Sequence, residues 1–421
     1  MPTSKPVSTS EHIPTSECTP ASMSAASHTE TSAQTHAQTG AETHASEPYK
    51  RTDSCTSKHC LLKSFAFALS MCAIAVAAVV VSSFVFGLYG SVSSVTWEDF
   101  RNAKQVDTVI LGSSYAQRGF DPLALDDELN VLTQTSTSST INAATPGQCI
   151  QATFSTLKYA VEQKHVKRVI YGVGPEALSS AYSLRTDVPY LYARYENDPL
   201  QLAQKLVKEA FLPDNIYMKD SLNVFFPWVF IPARSPQLVA KNVIARLTNK
   251  PKYQAAEDTV FRWHYVGKGY GSYDVVLSPD DNTTSVSIYG MPSIDPLALR
   301  AFKEMLQYAR AHNVEFICVA TPHPLYDIAS LGDEYDKVMS EIQKTTEAEG
   351  AVFIDANRVD PAKLCIPREG FHDFEHLNLE GAKIFSRYMA SVIYRVDNAR
   401  DVSADFLSRE QWKKRLETDR F

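Results

Sequence analysis

Asp373 and His376 stand three positions apart in Phe371 to Phe385, read FHDFEHLNLEGAKIF. At that spacing a carboxylate can hydrogen-bond one imidazole nitrogen and leave the other facing a cleft, which fixes the tautomer and stabilises the imidazolium as it forms. Such a pair needs a nucleophile. Ser114 fits that part, far upstream in Thr108 to Pro122, read TVILGSSYAQRGFDP. The β-branched run Thr108 to Leu111 reads as a buried strand of a parallel sheet, and the small residues after it suit a tight exit into a helix. Sheets of this kind bind and react at the carboxyl ends of their strands. A serine there that a histidine deprotonates carries out acyl transfer. Its own N–H at the helix start and that of Gly147 in the loop TPGQ are the expected oxyanion donors, because glycine lets backbone approach a ligand closely.

Each signal has a plainer reading. Gly-Ser-Ser after a strand is by itself most often a turn, whereas Asp-x-x-His ahead of Leu-Asn and a Gly-Ala helix is more specific. Ser113 is the rival nucleophile. His372 and Glu375 complete the string HDFEH, yet no outlying ligand of clear spacing accompanies it, so neither metal nor cofactor is expected. His323, between two prolines at a strand end, and Glu176, after Gly174 and Pro175, are candidates for the substrate rim. Asp121 is expected to cap the turn at Pro122.

The elements that must position these residues begin near Trp97. Strand 108–111 is followed by a polar stretch, a short strand 140–142, a helix with Ile150, Phe154, Leu157 and Val161 on one face, and strand 168–173. Strand, helix, strand in this order implies parallel pairing with a right-handed crossover. The alternation breaks from about 182 to 292, a stretch with a helix opening at Asp198 and Pro199, the uncharged run VFFPWVFIP at 224–232, and a turn-rich region through Trp263 and Tyr273. It reads as a lid-like insertion whose apolar run either packs in the core or meets a membrane. A helix opening at Asp295 and Pro296, strand 314–320, a helix near 335–348, strand 351–355 and a last helix from Asn378 to about 395 complete the domain, with an amphipathic appendix at 401–421.

Residues 64–88 carry no charge and are long enough to cross a ~30 Å hydrocarbon core. A cleaved signal peptide would need a charged region of unusual length before it. Lys50, Arg51, Lys58 and Lys63 precede the stretch while Glu98 and Asp99 follow it, so the expected orientation is N-terminus in the cytoplasm and domain outside. Residues 1–60 are Ser-, Thr- and Ala-rich with irregularly spaced histidines, the composition of a solvated, disordered tail. The chain of 421 residues, 44% hydrophobic, is long enough for a large core, and its net charge of -7 and pI near 5.9 argue against nucleic acid as a partner. Of seven cysteines only Cys149, Cys318 and Cys365 fall outside; their spacing suggests neither a disulfide framework nor zinc, and mostly buried free thiols are expected.

Taken together these blocks resemble the GDSL/SGNH hydrolases. Gly112-Ser113-Ser114 matches the first block, with Ser113 where the family name has aspartate; Gly147 matches the second-block glycine, and Asp373 to His376 the DxxH of the last. The resemblance spans about 97–395 apart from the insertion. It implies an α/β fold, a three-layer α/β/α SGNH-like domain with a parallel sheet, preceded here by one transmembrane helix, and a Ser114, His376, Asp373 triad. The third block of that family supplies an oxyanion asparagine; this strand ends Gly172-Val173-Gly174-Pro175-Glu176, and Asn142 is the candidate substitute. That loss is similar to membrane-anchored relatives that move acyl groups onto envelope polymers, namely the D-alanyl-lipoteichoic-acid transfer proteins and alginate-type O-acetyltransferases. The implied activity is acyl transfer onto a cell-envelope glycan or polymer through acyl-Ser114, with a membrane-bound acyltransferase as a conceivable partner. Two alternatives stay open: an esterase or deacetylase using water, and a non-catalytic binding protein of the same fold.

Overall fold

The computed structural model describes residues 57–87, 89–210, 223–230 and 235–421. Most of the expected disordered tail, with Cys18 and Cys55, and part of the run 224–232 lie outside the described residues. The first helix, α1 (Ser57–Phe86), contains the 25-residue stretch Leu62–Phe86, which is apolar enough to cross a membrane. From Phe65 to Phe421 the chain forms one compact unit.

After α2 (Val92–Asn102) come β1 (Thr108–Gly112), α3 (Ser114–Gly119), α4 (Pro122–Thr133), β2 (Thr140–Asn142), α5 (Ile150–Lys164) and β3 (Arg168–Val173). Between β3 and the next strand of the main sheet lie α6 (Leu184–Arg194), α7 (Pro199–Ala210), α8 (Pro236–Leu247), α9 (Lys252–Thr259), the hairpin β4 (Trp263–Gly267) and β5 (Tyr270–Tyr273), α10 (Ser285–Tyr289) and α11 (Pro296–Ala311). The chain then runs through β6 (Glu315–Ala320), α12 (Leu325–Leu331), α13 (Asp333–Ala348), β7 (Val352–Asp355), α14 (Leu379–Asp397) and α15 (Arg409–Thr418).

The five-stranded sheet has the order β2-β1-β3-β6-β7 and every pairing is parallel. Alternate strand residues feed two cores. Val109, Leu111, Phe316 and Cys318 pack with Leu157 of α5, Phe302 of α11 and Val338 of α13. Ile110, Ile317 and Val319 pack with Phe120, Leu125 of α4, and Phe385 and Met389 of α14. Two helical layers therefore sandwich the sheet, the three-layer arrangement that continuous β-branched runs alternating with one-faced helices produce. The strand order reverses direction between β1 and β3, and a crevice opens there at the carboxyl ends.

The helix expected to begin at Ser114 is α3, and most of the polar stretch expected after it is a second helix, α4. Asp121 accepts from the Leu123 and Ala124 N–H groups at 2.9 and 3.2 Å and Pro122 takes the first helical position, so the cap expected there opens all of α4. The turn-rich region around Trp263 is the β4–β5 hairpin, whose Lys268 carbonyl accepts from the Asn142 N–H at 2.9 Å at the edge of the sheet. Cys149, Cys318 and Cys365 are all unpaired; only Cys318 is buried, Cys149 being half-buried and Cys365 exposed, contrary to the expectation that most would be.

Candidate active site

Gly112 ends β1 at φ +136°, and a side chain there would strike the Gly172 carbonyl of the adjacent strand at 2.4 Å. This glycine-only turn places Ser113 at the N-cap and Ser114 in the first turn of α3. On the other side of the crevice the Phe371–Leu377 bridge and a His372 N–H to His376 carbonyl bond of 2.8 Å close a tight loop, and α14 begins directly after it. Asn378 caps α14 by accepting from the Glu380 and Gly381 N–H groups at 3.0 and 3.1 Å.

These two turns bring Ser114 and His376 together. Ser114 Oγ lies 2.8 Å from His376 Nε2. His376 Nδ1 lies 2.9 and 3.0 Å from the two Asp373 carboxylate oxygens. Asp373 also accepts from the Glu375 and His376 backbone N–H groups at 3.0 and 2.9 Å, and from Arg118 Nη1 at 3.1 Å. Burial alone would raise the Asp373 pKa, but the His376 and Arg118 charges and these bonds hold it well below the usual carboxylate range. Burial, helped by Arg118, outweighs Asp373 at the imidazole and lowers the His376 pKa below its ordinary value. At neutral pH the imidazole is thus a free base aimed at a serine hydroxyl. Ser113 makes no such contact with His376.

A cavity of about 460 Å³ opens beside Ser114, lined in part by Gly147, Tyr171, Glu176, Tyr289 and Met291. No lysine, arginine or histidine is among its lining residues in the described chain. Gly147 sits in a turn at φ +68°, not in a helix, with its backbone in the cavity wall beside Ser114. Tyr289, Gly290 and Met291 bring the insertion into this wall.

Two of the expected site residues have other work. Asn142 is fully buried, and its Nδ2 donates to the carbonyls of Ala116, Gln117 and Phe120 at 3.1, 3.4 and 3.0 Å while its Oδ1 accepts from the Ala144 N–H at 3.1 Å. It ties down the end of α3 from beneath and has no donor left for an oxyanion. His323 is likewise not a rim residue. It is 3% exposed, with Nδ1 3.1 Å from Asp327 and its ring against Tyr115 at 5.1 Å. Burial would lower the His323 pKa, but Asp327, Glu176 and Glu375 outweigh it and raise it.

Glu176 does line the cavity, and it belongs to a cluster the motifs did not announce. The Tyr115 hydroxyl lies 2.5 Å from Glu176 Oε2 and 2.8 Å from Glu375 Oε2, and its ring stacks on His376 at 5.4 Å. One phenol proton cannot serve two carboxylates, so a second proton must sit on one of them. Glu375 also accepts from the Tyr289 hydroxyl at 2.9 Å, and burial raises the Glu176 pKa. Asp373, Glu375 and His376 offer metal-ligating atoms within 4.8 Å of one another. Each of those atoms is already engaged by Arg118, tyrosine hydroxyls or the triad itself. His372 stacks on Tyr273 at 4.5 Å, and the Arg118 guanidinium lies 4.6 Å over the same ring. Arg118 was legible in principle, since it follows Ser114 by one helical turn and shares its face.

No family model matches the chain, and no curated protein matches it. Among solved structures it is similar to a protein described as a GDSL-like lipase from Parabacteroides merdae, at 13% identity and a TM-score of 0.30, covering 69% of this chain and 97% of that one. It is also similar to an alpha/beta hydrolase enzyme from the metagenome of Lake Arreo, Spain, at 12% identity and a TM-score of 0.28, covering 69% and 94%.

Proposed function

We propose that this chain is a membrane-anchored serine enzyme of the GDSL/SGNH type that moves carboxylic acyl groups through an acyl-Ser114 intermediate. The observation that carries the reading is the 2.8 Å approach of Ser114 Oγ to a His376 whose other nitrogen is held by Asp373. In the first step Ser114 Oγ bonds to the ester carbonyl carbon while its proton passes to His376 Nε2. The Ser114 and Gly147 N–H groups are the donors assigned to the oxyanion. The alkoxide leaves with the proton from Nε2. An acceptor hydroxyl then gives its proton to Nε2 and attacks the acyl carbon, and the departing Ser114 Oγ takes that proton from Nε2.

The finer reading is that the acceptor is a hydroxyl of a cell-envelope glycan or polymer. A cavity that joins serine and tyrosine hydroxyls to an acidic cluster, with no cationic side chain among the described residues of its lining, suits a neutral hydroxylated ligand better than an anionic one. The helix Leu62–Phe86 would keep the domain beside membrane-linked donors and polymers. The basic residues ahead of it support a cytoplasmic N-terminus and an external domain. A test offers the full-length protein an activated acetyl ester with and without a soluble oligosaccharide. Acetylated oligosaccharide, formed by wild type and lost in Ser114→Ala, supports transfer. Acetate alone, unaffected by the oligosaccharide, overturns transfer in favour of hydrolysis. Turnover of neither kind favours a binding role, alone or beside a membrane acyltransferase.

A further inference from the structure

The domain caps the end of its own membrane helix. Arg246 of α8 donates to the carbonyls of Ser83 at 3.2 Å, Phe84 at 2.8 Å and Gly87 at 3.4 Å. One turn earlier, Asn242 donates to the Gly87 carbonyl and accepts from the Tyr89 N–H at 2.8 Å. The Trp228 ring lies 5.9 Å from that of Phe86. These contacts satisfy carbonyls that a helix end leaves open. They also fix the height of α8 and of the turn Pro227–Phe230 against α1.

That height can be measured along the helix. The 25-residue stretch Leu62–Phe86, whose one charged residue is Lys63, is about 37 Å long at ~1.5 Å per residue, some 7 Å more than a ~30 Å hydrocarbon core. Val76 precedes Phe86 by ten residues, about 15 Å, so even with the whole excess at the domain end it lies roughly 8 Å inside the hydrocarbon. Beside it the structure leaves a groove of about 620 Å³, with Val76, Val80 and Phe84 on one wall and Tyr192, Leu206 and Phe225 on the other. The elements at this end also expose large apolar side chains, Leu200 and Val207 on α7, Val229 in the turn, and Ile244 and Leu247 on α8, from 48% for Val207 to 69% for Leu200.

We propose that this groove is a binding site for the acyl chain of a membrane lipid, and that α7, α8 and the turn Pro227–Phe230 lie in the leaflet on the domain's side. The inference rests on the reading of α1 as a membrane anchor. A groove with one wall inside the hydrocarbon has no water to fill it, and its mostly carbon surface asks for none. With the excess length at the domain end, the depth of roughly 8 Å falls within the ~5–10 Å at which in-plane amphipathic helices seat their apolar faces. An insertion built this way would hold lipid against the same domain that carries Ser114.

The test uses the four tryptophans. Trp97, Trp263 and Trp412 are 0, 2 and 1% exposed in the domain interior, so a quencher in the lipid chains reaches Trp228. Full-length protein in phosphatidylcholine vesicles brominated at shallow chain positions should lose emission relative to plain vesicles, and Trp228→Phe should abolish that loss. Protein purified in detergent should retain phospholipid by native mass spectrometry, and Leu206→Glu should release it. Equal emission in both vesicles, from protein that resists alkaline extraction, would overturn the proposal while the anchor stands. Absence of retained lipid in wild type would overturn the groove assignment. Protein that washes off at alkaline pH would overturn the anchor reading itself.

Discussion

Arg118 Nη1 stands 3.1 Å from Asp373 Oδ2, one helical turn beyond Ser114. The helix that presents the serine therefore also grips the carboxylate behind the histidine, and the two turns of the site are locked to each other rather than merely adjacent. Arg118 is in turn braced by the Tyr273 ring of the hairpin.

This link sets the pH dependence. Burial and the Arg118 charge hold the His376 pKa below its ordinary 6.5, so the rate of Ser114 acylation should rise with pH through a limb below 6.5 and then level off. Arg118→Gln removes one of the causes that lower it and leaves Asp373 and Glu375, which raise it. The limb should move towards neutral, so the variant loses more activity at acid pH than at alkaline pH. A limb unchanged in Arg118→Gln would contradict the assigned electrostatics.

Glu176 gives a prediction of opposite slope. Its folded pKa is raised by burial, so its contribution is neutral below the unfolded carboxyl value and becomes a cost as pH rises through the folded value. Glu176→Gln keeps the protonated shape without that cost. The thermal midpoint of the variant relative to wild type should therefore improve as pH is raised from acid to alkaline. A difference independent of pH would contradict the raised pKa of Glu176.

Asn142→Ala separates scaffold from chemistry. Three carbonyls at the end of α3 would lose their donor, a cost on the order of 1–3 kcal/mol in unfolding free energy. Reactivity of Ser114, measured where the variant remains folded, should fall by far less than the ~100-fold that loss of an oxyanion donor brings. A rate loss of that size with unchanged stability would restore Asn142 to the oxyanion hole.

The sheet was legible because its longer strands are built on apolar or β-branched runs that stop within two residues of Gly, Pro or Asp, as in TVILG and RVIYGV. The helix α4 was not, although Asp121-Pro122 carries the same cap signature that opens α11 at Asp295-Pro296. Inside the insertion, α6 contains Pro189 and the hairpin strands mix glycine with aromatic residues, so local pattern gave no clean period. Serine, histidine and aspartate were readable from motif and order. Tyr115, Tyr289 and Glu375 were not, because their roles arise from side chains 86 to 260 positions apart that meet only in the folded chain. The errors over Asn142 and His323 share a cause: a polar residue at a strand end can face the crevice or the core beneath it, and sequence does not say which.

The central claim is that Ser114 is an activated nucleophile. It is tested most directly by labelling the full-length protein with a fluorophosphonate probe, which phosphonylates a serine only when a neighbouring base takes its proton. Wild type should be labelled at Ser114, and both Ser114→Ala and His376→Ala should lose the label while Ser113→Ala keeps it. A folded wild type that takes up no label, or a label that persists in Ser114→Ala, would contradict the account.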